Sequence, residues 1–365
     1  MGFRDYYRQY DDLDERELNR ERRARREQEK RLALQRLPDL DLSGTEWPDL
    51  PHSEVVNAAI ARARGLVNRY PDRYAATVRR QLADRHGVAP EQIVLGNGAA
   101  ELLQAAALVL LGRGDELVMA WPSYPLYPLL AAHAGARPVF AERGRLSDAV
   151  TGRTRVVVVC NPNDPTGDYM RSHELGAVLA GLPAHVHVLL DEALVHFQDA
   201  EDLDACLRLV DAFPRLLVVR TFSKIYGLSG LRAGYAVGSD VDLLAAVAPV
   251  LGVNALTQAA VEHTLRTSDA EIDRRRRVVS RERQRMTEGL IALGADVTRS
   301  QANFVWVRAP GLSGDALAQA LRRQGVIVAP GGPLGADDHV RAAVLNEGAT
   351  NRLLRAYRNT VSATG

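Results

Sequence analysis

Short apolar runs separated by helical stretches dominate the chain between residues 74 and 240. Six of the runs have the length of buried strands, at 93–95, 116–120, 155–160, 186–191, 216–220 and 233–238. Segments with the 3.6-residue spacing of helices lie between most of them, such as 75–86, 99–111 and 171–181. Apolar strands that alternate with helices predict an α/β fold, in which a mostly parallel sheet is covered by helices.

The pattern differs at both ends of the chain. Residues 12–36 are highly charged, with opposite charges four residues apart, which favours a solvated helix or an arm on a partner subunit over a nucleic-acid site. From about residue 270, a long Arg-rich helix is followed by apolar runs and a second helix, typical of a smaller α+β domain. We predict an N-terminal arm (1–50), a large domain (51–260) and a small domain (261–365), to which the N-terminal segment could also belong.

Composition excludes several classes of partner. With a formal net charge of +1, the chain lacks the excess of basic residues expected of a protein that binds nucleic acid or an anionic membrane. Cys160 and Cys206 are too few for a disulfide framework or a metal site, and Cys160 closes a strand, as a buried structural thiol would. The longest apolar run, 243–253, is too short to span a bilayer, and the first ten residues do not form a signal peptide. We therefore expect a cytoplasmic protein without nucleic-acid, membrane or metal partners.

The use of lysine singles out one position. Only two of the 46 Lys and Arg residues are lysines, Lys30 and Lys224. Lys224 follows the apolar run 216–220 and precedes a Gly-rich turn, so it lies at the carboxyl end of a strand, where open α/β sheets bind ligands. Lysine, unlike arginine, can lose its proton and form a Schiff base with a carbonyl compound. We interpret Lys224 as a covalent catalytic residue.

An acidic strand end supports this interpretation. Asp191 ends the run 186–191 and precedes Lys224 by 33 residues, about one βαβ unit, so both side chains should project at the same sheet edge. A lysine Schiff base with a buried carboxylate is what pyridoxal phosphate (PLP) chemistry needs, because the carboxylate keeps the pyridine nitrogen protonated. A strand-end Asp that caps a helix is the alternative interpretation of Asp191.

PLP also requires a phosphate site, and two segments could supply it. The Gly-rich turn at 96–103 lies between a strand and a helix, so the amides of Gly98, Ala99 and Ala100 could bind an anion at the helix N-terminus. Hydroxyl donors and a guanidinium suited to phosphate surround the lysine, and they belong to Thr221, Ser223 and Arg232.

Two further turns come after predicted strands. The segment NPNDPTG (161–167) comes directly after the run 155–160. The segment PSYPLY (122–127) comes after the run 116–120 and offers Tyr124 or Tyr127 as an aromatic face for a ring. A core or surface tyrosine would explain either residue equally well.

Eight motifs occur in the order found in the class I/II PLP-dependent aminotransferases of fold type I. They are RYPD, GNGAAELL, PSYPLY, NPNDPTG, LLDEA, RTFSKIYGLSGLRAGY, SQANFVWV and HVRAAV. The chain resembles this family from about residue 51 to its end, and the histidinol-phosphate aminotransferase branch most. The resemblance implies a large domain with a mostly parallel seven-stranded sheet and a smaller α+β domain, assembled as a homodimer with shared active sites.

The resemblance also implies residue roles. Lys224 would carry the cofactor and move the substrate proton, Asp191 would pair with the pyridine nitrogen, and Tyr124 would stack on the ring. Ala99, Thr221, Ser223 and Arg232 would hold the phosphate, which Tyr70 would reach from the other subunit. Arg341 would bind the substrate α-carboxylate, and Asn303 would line the site.

Four departures from the family pattern bear on the substrate. Asp164 replaces an asparagine that donates to the cofactor's O3′ oxygen, and Leu194 replaces a tyrosine that donates to the same atom. Ala329 stands where the branch often has an arginine for the substrate phosphate, and Trp47 lies in a segment that replaces a family motif near the site entrance. An unphosphorylated apolar or aromatic donor is therefore as well supported as histidinol phosphate.

We expect an aminotransferase that moves an amino group between an amino acid or similar amine and a 2-oxo acid. A decarboxylase or another non-transaminating PLP enzyme on the same fold is the first alternative. A non-catalytic binding module is the second, and the intact Lys224, Asp191, Arg232 and Arg341 argue against it.

Overall fold

A computed structural model describes residues 38–362, together with Arg20, Arg22 and Arg23. Asp41–Gly365 form one compact unit, and Met1–Leu40 form a separate one. The charged helix predicted at 12–36 lies almost wholly outside the described residues. Every predicted site residue belongs to the unit that begins at Asp41.

A seven-stranded sheet forms the centre of this unit, in the order β2-β8-β7-β6-β5-β3-β4. Its strands are β2 (Ile93–Gly96), β3 (Glu116–Ala120), β4 (Arg137–Ala141), β5 (Thr154–Cys160), β6 (His187–Asp191), β7 (Leu216–Thr221) and β8 (Gly234–Val237). Strands β4, β3, β5, β6 and β7 pair in parallel, while β8 pairs antiparallel with both β7 and β2. The predicted mostly parallel sheet is thus confirmed.

Strand β4 is the one member of this sheet that the apolar pattern did not predict. It lies at the sheet edge, and its residues are exposed or half-buried. Partial exposure, not edge position, explains why β4 lacks a continuous apolar run, since β2 at the opposite edge is fully buried and was predicted. The other six strands are fully or almost fully buried.

Ten helices surround the sheets in the described part of the chain. They are α1 (Ser53–Leu66), α2 (Ala76–His86), α3 (Ala99–Leu110), α4 (Leu126–His133), α5 (Ser172–Gly181), α6 (Val241–Val247), α7 (Ala255–Thr267), α8 (Asp269–Ala292), α9 (Gly314–Arg323) and α10 (Glu347–Ser362). The predicted helices at 75–86, 99–111, 171–181, 271–293 and 313–324 agree with α2, α3, α5, α8 and α9 to within two residues. None of the ten is long and apolar enough to cross a membrane.

A second, antiparallel sheet lies in the C-terminal part, in the order β12-β13-β10-β9. The short strands of this part, with β1 from the N-terminal end, are β1 (Leu40–Asp41), β9 (Asp296–Val297), β10 (Phe304–Arg308), β11 (Val326–Ile327), β12 (Ala329–Pro330) and β13 (His339–Ala343). Leu42 extends this region, since its amide donates to the Ile327 carbonyl and its carbonyl accepts from the Ala343 amide. The domain boundaries near residues 50 and 260 stay predictions.

The central sheet brings its functional strand ends together through its register. Cys160 at the end of β5 pairs with Asp191 at the end of β6, and Asp191 pairs with Val219 of β7. Because the three strands are parallel, their carboxyl ends open at one edge of the sheet. The loop 161–167, Asp191 and Lys224 therefore all lie at that edge.

Candidate active site

A cavity of 210 Å³ lies at the carboxyl ends of β5, β6 and β7. Nine of the predicted site residues line it: Ala99, Ala100, Tyr124, Asp164, Asp191, Thr221, Ser223, Lys224 and Arg232. Leu194 and Cys160 also line it, the first being the residue that departs from the family tyrosine. Residues from six separate stretches of the chain therefore converge on one volume.

Lys224 is half-buried in this cavity, in the turn directly after β7. The turn is fixed by backbone bonds from the Gly227 amide to the Lys224 carbonyl (3.0 Å) and from the Phe222 amide to the Ala233 carbonyl (3.0 Å). Removal from water lowers the pKa of the Lys224 amine, against the opposing effect of nearby carboxylates, of which Glu46 is the strongest. A lowered pKa increases the fraction of neutral, nucleophilic amine at neutral pH.

Asp191 is buried and holds two hydrogen bonds within the protein. Its Oδ2 accepts from the Tyr127 hydroxyl at 2.9 Å, and its Oδ1 accepts from the Ala193 amide at 3.0 Å. Burial raises the pKa of the carboxyl, and these two bonds and the Lys224 amine oppose the rise. A cationic partner such as a protonated pyridine nitrogen would favour the ionised form further.

The two tyrosines of the PSYPLY segment differ in exposure and in their contacts. Tyr124 is 40% exposed and lines the cavity, as expected of a stacking ring. Tyr127 is fully buried beside it, with ring centroids 5.8 Å apart and planes at 77°, and orients Asp191. The sequence offered Tyr127 only as an alternative stacking ring, and its contact with Asp191 was not predicted.

The N-terminus of α3 forms an anion-binding cradle. Gly98 precedes the helix at φ +91° and provides no capping side chain, so the first amides of α3 remain free to bind an anion. The positive φ favours glycine at position 98, and a Cβ there would also require the flexible end of the Arg232 side chain to move. The predicted role of the Gly-rich turn thus has a steric reason.

Hydroxyl groups complete this cradle opposite the helix. The Arg232 Nη1 donates to the Ser229 carbonyl at 2.9 Å and to the Ser223 hydroxyl at 3.4 Å. The Thr221 hydroxyl oxygen accepts from the Ser223 amide at 3.1 Å. Free helix amides, two hydroxyls and one guanidinium together suit a dianionic phosphate.

A buried ion cluster lies directly behind the cavity and was not predicted. Arg220, the residue before Thr221, donates to Glu192 at 2.8 Å and to Asp204 at 2.6 Å. Glu192 in turn is the residue after Asp191, so the cluster joins the ends of β6 and β7. The interaction links the ends of these two strands in addition to their backbone pairing.

Arg341 lies on β13, and its guanidinium contacts Asp164 directly. Its Nη1 donates to Asp164 Oδ1 at 2.5 Å, and its Nη2 donates to the Ser43 carbonyl at 2.9 Å. Its Nε is buried and finds no hydrogen-bond partner within residues 38–362. Arg341 is not among the residues that line the cavity, but its partner Asp164 is, so the guanidinium predicted to bind a substrate carboxylate is paired with a carboxylate of the protein itself.

Asn303 is buried near the same corner, and its Nδ2 donates to the Thr45 carbonyl at 3.0 Å. Thr45 is a site residue that sequence reasoning missed, because a threonine in an irregular segment carries no pattern of its own. The segment around it was singled out for Trp47 alone.

Trp47 and Tyr70 lie outside the cavity lining. The Trp47 ring packs under the Arg275 guanidinium, with 4.5 Å from Cζ to the ring centroid. Tyr70 is 84% exposed on the surface, away from the cavity of its own chain. Neither side chain is brought to the site by a single copy of the chain.

The donor set around the cavity fits PLP. An amine, a buried carboxylate, a stacking ring and an anion cradle surround one volume. The orphan amides at the N-terminus of α3 and the Arg232 guanidinium beside Gly98 are the groups that would hold the phosphate end of this cofactor. No cluster of three metal-ligating side chains occurs among the residues that the structure describes.

Comparison with known sequences places these features in a family. Residues 38–356 match the family model for aminotransferases of class I and II. The chain is 38% identical to an aromatic amino acid aminotransferase of Mycobacteroides abscessus, over 83% of this chain and 89% of that protein. It is also 38% identical to histidinol-phosphate aminotransferase 1 of Nitrosococcus oceani, over 88% of both.

Solved structures share the architecture. Aspartate aminotransferase of Thermus thermophilus with maleate superposes with a TM-score of 0.79 at 25% identity, over 92% of this chain and 95% of that one. A histidinol-phosphate aminotransferase of Sinorhizobium meliloti in complex with pyridoxal 5′-phosphate gives the same TM-score at 24% identity, over 90% and 92%. The chain belongs to the class I and II aminotransferases, PLP-dependent transaminases of fold type I.

Proposed function

We propose that the amino donor of this transaminase is an unphosphorylated amino acid with an aromatic or apolar side chain, and that a 2-oxo acid is the acceptor. Relatives named for aromatic amino acids and for histidinol phosphate are about equally similar, so their names alone do not choose between the two. The choice rests on the residues of this chain that face the substrate.

The position of Ala329 carries the proposal. Ala329 on β12 lies directly opposite Arg341 on β13, so both side chains project on the same face of the second sheet. An arginine at this position would place a second guanidinium beside Arg341 and could bind a phosphate. With the methyl group of Ala329 at this position, the strand pair presents the Arg341 guanidinium alone, which suits a substrate with one carboxylate.

Leu194 supports an apolar substrate end. Leu194 is buried in the cavity lining, where the family tyrosine would present a hydroxyl. A planar or branched apolar side chain gains free energy when such surface leaves water.

The remaining residues perform the transfer around the bound cofactor. PLP supplies an electron-withdrawing ring conjugated to the carbon that exchanges the amine. We assign to Lys224 the proton transfer at the substrate α-carbon, because its amine is half-buried with a lowered pKa. We assign to Asp191 the stabilisation of a protonated ring nitrogen, and to Arg341 the orientation of the substrate carboxylate.

We further propose a homodimer in which Tyr70 reaches the phosphate of the partner's site. Tyr70 is 84% exposed, and four other large apolar side chains are exposed nearby in sequence: Val56, Ile60, Val67 and Tyr74. Exposed apolar surface of this extent is typical of an interface. A cytoplasmic location stays a prediction.

A half-reaction screen tests the proposed donor. The holoenzyme is mixed with single donors, and conversion of the cofactor to its amine form is followed by absorbance. We expect phenylalanine, tyrosine or leucine to convert it and histidinol phosphate to react at least about tenfold more slowly, since a phosphate without its charge-assisted contact loses about 1.5–3 kcal/mol. Faster conversion by histidinol phosphate would overturn the proposal.

A variant and a second readout sharpen the screen. Ala329→Arg should raise the reaction with histidinol phosphate by about tenfold or more, whereas Ala329→Leu, which adds volume without charge, should not. Carbon dioxide release without conversion of the cofactor would identify a decarboxylase and contradict transamination.

A further inference from the structure

Asp164 and Arg341 form an ion pair at the point where a substrate carboxylate must also bind. The two side chains are 10% and 11% exposed, and Nη1 lies 2.5 Å from Oδ1. Asp164 lies in the loop after β5 of the central sheet, and Arg341 lies on β13 of the second sheet. They are 177 residues apart in the chain, so only the folded protein brings them together.

The loop that carries Asp164 is rigidly held. The Asn163 amide group donates to the Thr166 hydroxyl at 2.9 Å and to the Pro122 carbonyl at 3.1 Å, and its oxygen accepts from Ser123 at 2.7 Å. These bonds hold the backbone next to Asp164, and the ion pair itself holds the Asp164 carboxylate at Arg341.

The aspartate at position 164 is charged, whereas the asparagine that the family resemblance leads one to expect there is not. An asparagine at 164 could accept from Arg341 through its oxygen and donate to a ligand carboxylate through its amide nitrogen. An aspartate paired with a guanidinium has no proton to donate and carries a negative charge at that position. A ligand carboxylate at Arg341 thus meets a like charge instead of a donor.

We propose that Asp164 is a specificity-determining residue that competes, as an internal carboxylate, with the substrate carboxylate for Arg341. The inference rests on the proposed function, in which Arg341 receives that carboxylate. Asp164 accepts from one N–H of Nη1 and the Ser43 carbonyl accepts from one N–H of Nη2, so an entering carboxylate would use the remaining N–H groups of a guanidinium that already carries a paired negative charge.

The competition predicts an unusual preference for ligand charge. The guanidinium of Arg341 is already neutralised, so a carboxylate gains little over an uncharged group of the same shape. Glu46, which also lines the cavity, adds to the negative charge that a second anionic group would encounter. Dianionic substrates are therefore disfavoured at this site.

Calorimetric titration of the holoenzyme tests the inference without any reaction. The ligands are 3-phenylpropanoate and 3-phenylpropanamide, which lack the amine and differ mainly in charge. Wild type should prefer the carboxylate by less than about fivefold, while Asp164→Asn should bind the carboxylate at least about tenfold more tightly and leave the Kd of the amide within about threefold.

Asp168→Asn is the matched control, since it removes a carboxylate from the same loop outside the cavity lining. It should leave the ratio of the two Kd values unchanged. Unchanged or weaker carboxylate binding by Asp164→Asn would overturn the inference, as would the absence of measurable binding to both proteins. If Asp164→Asn fails to fold by circular dichroism, Asp164→Ser removes the same charge and must give the same gain.

The half-reaction with an aromatic amino acid, measured on the same preparations, separates two failures. Conversion by wild type without a change in the ratio means that only the inference about Asp164 fails. No conversion by any aromatic or apolar donor means that the proposed function fails, whatever the calorimetry gives.

Discussion

The Thr45 hydroxyl lies 2.5 Å from the Nζ atom of Lys224, although 179 residues separate the two in the chain. The same short segment accepts from Asn303 through the Thr45 carbonyl and from Arg341 through the Ser43 carbonyl. Three site side chains thus hold residues 43–45, and this segment forms one wall of the active site.

Thr45→Val should speed attachment of the cofactor to the apoenzyme. The hydroxyl is an acceptor for the protonated amine, so its loss lowers the pKa of Lys224 beyond the effect of burial. A hydrogen bond of this kind corresponds to about one pKa unit, which raises the neutral fraction by up to about tenfold. Stopped-flow absorbance at pH 7 and saturating PLP measures the rate. Thr45→Ser retains the hydroxyl and should behave as wild type, and a slower Thr45→Val would contradict the assignment.

Lys224→Ala should lose transamination by about 10²- to 10⁴-fold, as expected when a proton-transferring group is removed. Single-turnover absorbance with an aromatic donor measures the loss, and circular dichroism checks the fold. Lys224→Arg keeps a positive charge but cannot release its proton, so it should be equally inactive. Normal transamination by either variant would show that Lys224 is not required for the reaction.

Tyr127→Phe should move the acid limb of the transamination rate to higher pH. The phenol stabilises the ionised form of Asp191, so its removal raises the pKa of that carboxyl further. A hydrogen bond to a charged group contributes about 1.5–3 kcal/mol, which corresponds to roughly one pH unit or more. Initial transamination rates between pH 5 and 8 give the position of this acid limb. Tyr124→Phe is the control, because it leaves the hydrogen bond between Tyr127 and Asp191 intact. An unmoved limb would show that Tyr127 does not act through Asp191.

The stability of the apoprotein should reveal the raised pKa of Asp191. Between 3.8 and that raised pKa, the folded state binds more protons than the unfolded state, so ionisation of Asp191 costs stability as pH rises. Asp191→Asn cannot ionise and should therefore gain in free energy of unfolding relative to wild type across this window. Urea denaturation at several pH values measures the difference, and a constant or falling difference would contradict the expected direction.

Arg232→Gly and Arg232→Ala should weaken PLP binding to a similar extent but differ in the stability of the apoprotein. Arg232 adopts φ +54°, which costs a non-glycine residue about 1 kcal/mol. Both Arg232→Gly and Arg232→Ala remove the guanidinium, and PLP affinity should fall by roughly ten- to a hundredfold in each. Only glycine relieves the backbone, so its apoprotein should be about 1 kcal/mol more stable than the alanine variant. Equal stability, measured by denaturant unfolding, would contradict the strain argument.

Local patterns were enough to predict the central sheet and the place of Asp191 and Lys224 at its edge. Buried parallel strands read as continuous apolar runs, and the residues directly after such runs lie at the ligand-binding edge. Asp191 and Lys224 could be placed there from the sequence because their positions depend only on the strands that precede them. The edge strand β4 was missed because partial exposure removes the apolar run.

The sequence by itself determined the α/β fold, the strand-end chemistry and the unusual lysine, since each depends on residues that are neighbours in the chain. Only the tertiary structure decided that Asp164 pairs with Arg341, that Thr45 contacts Lys224, and that Tyr127 orients Asp191. These contacts join residues 64 to 179 positions apart, so no local pattern encodes them. Under the proposal for Asp164, the charge that a substrate meets at Arg341 is set by such a contact, so substrate choice would depend on the folded chain.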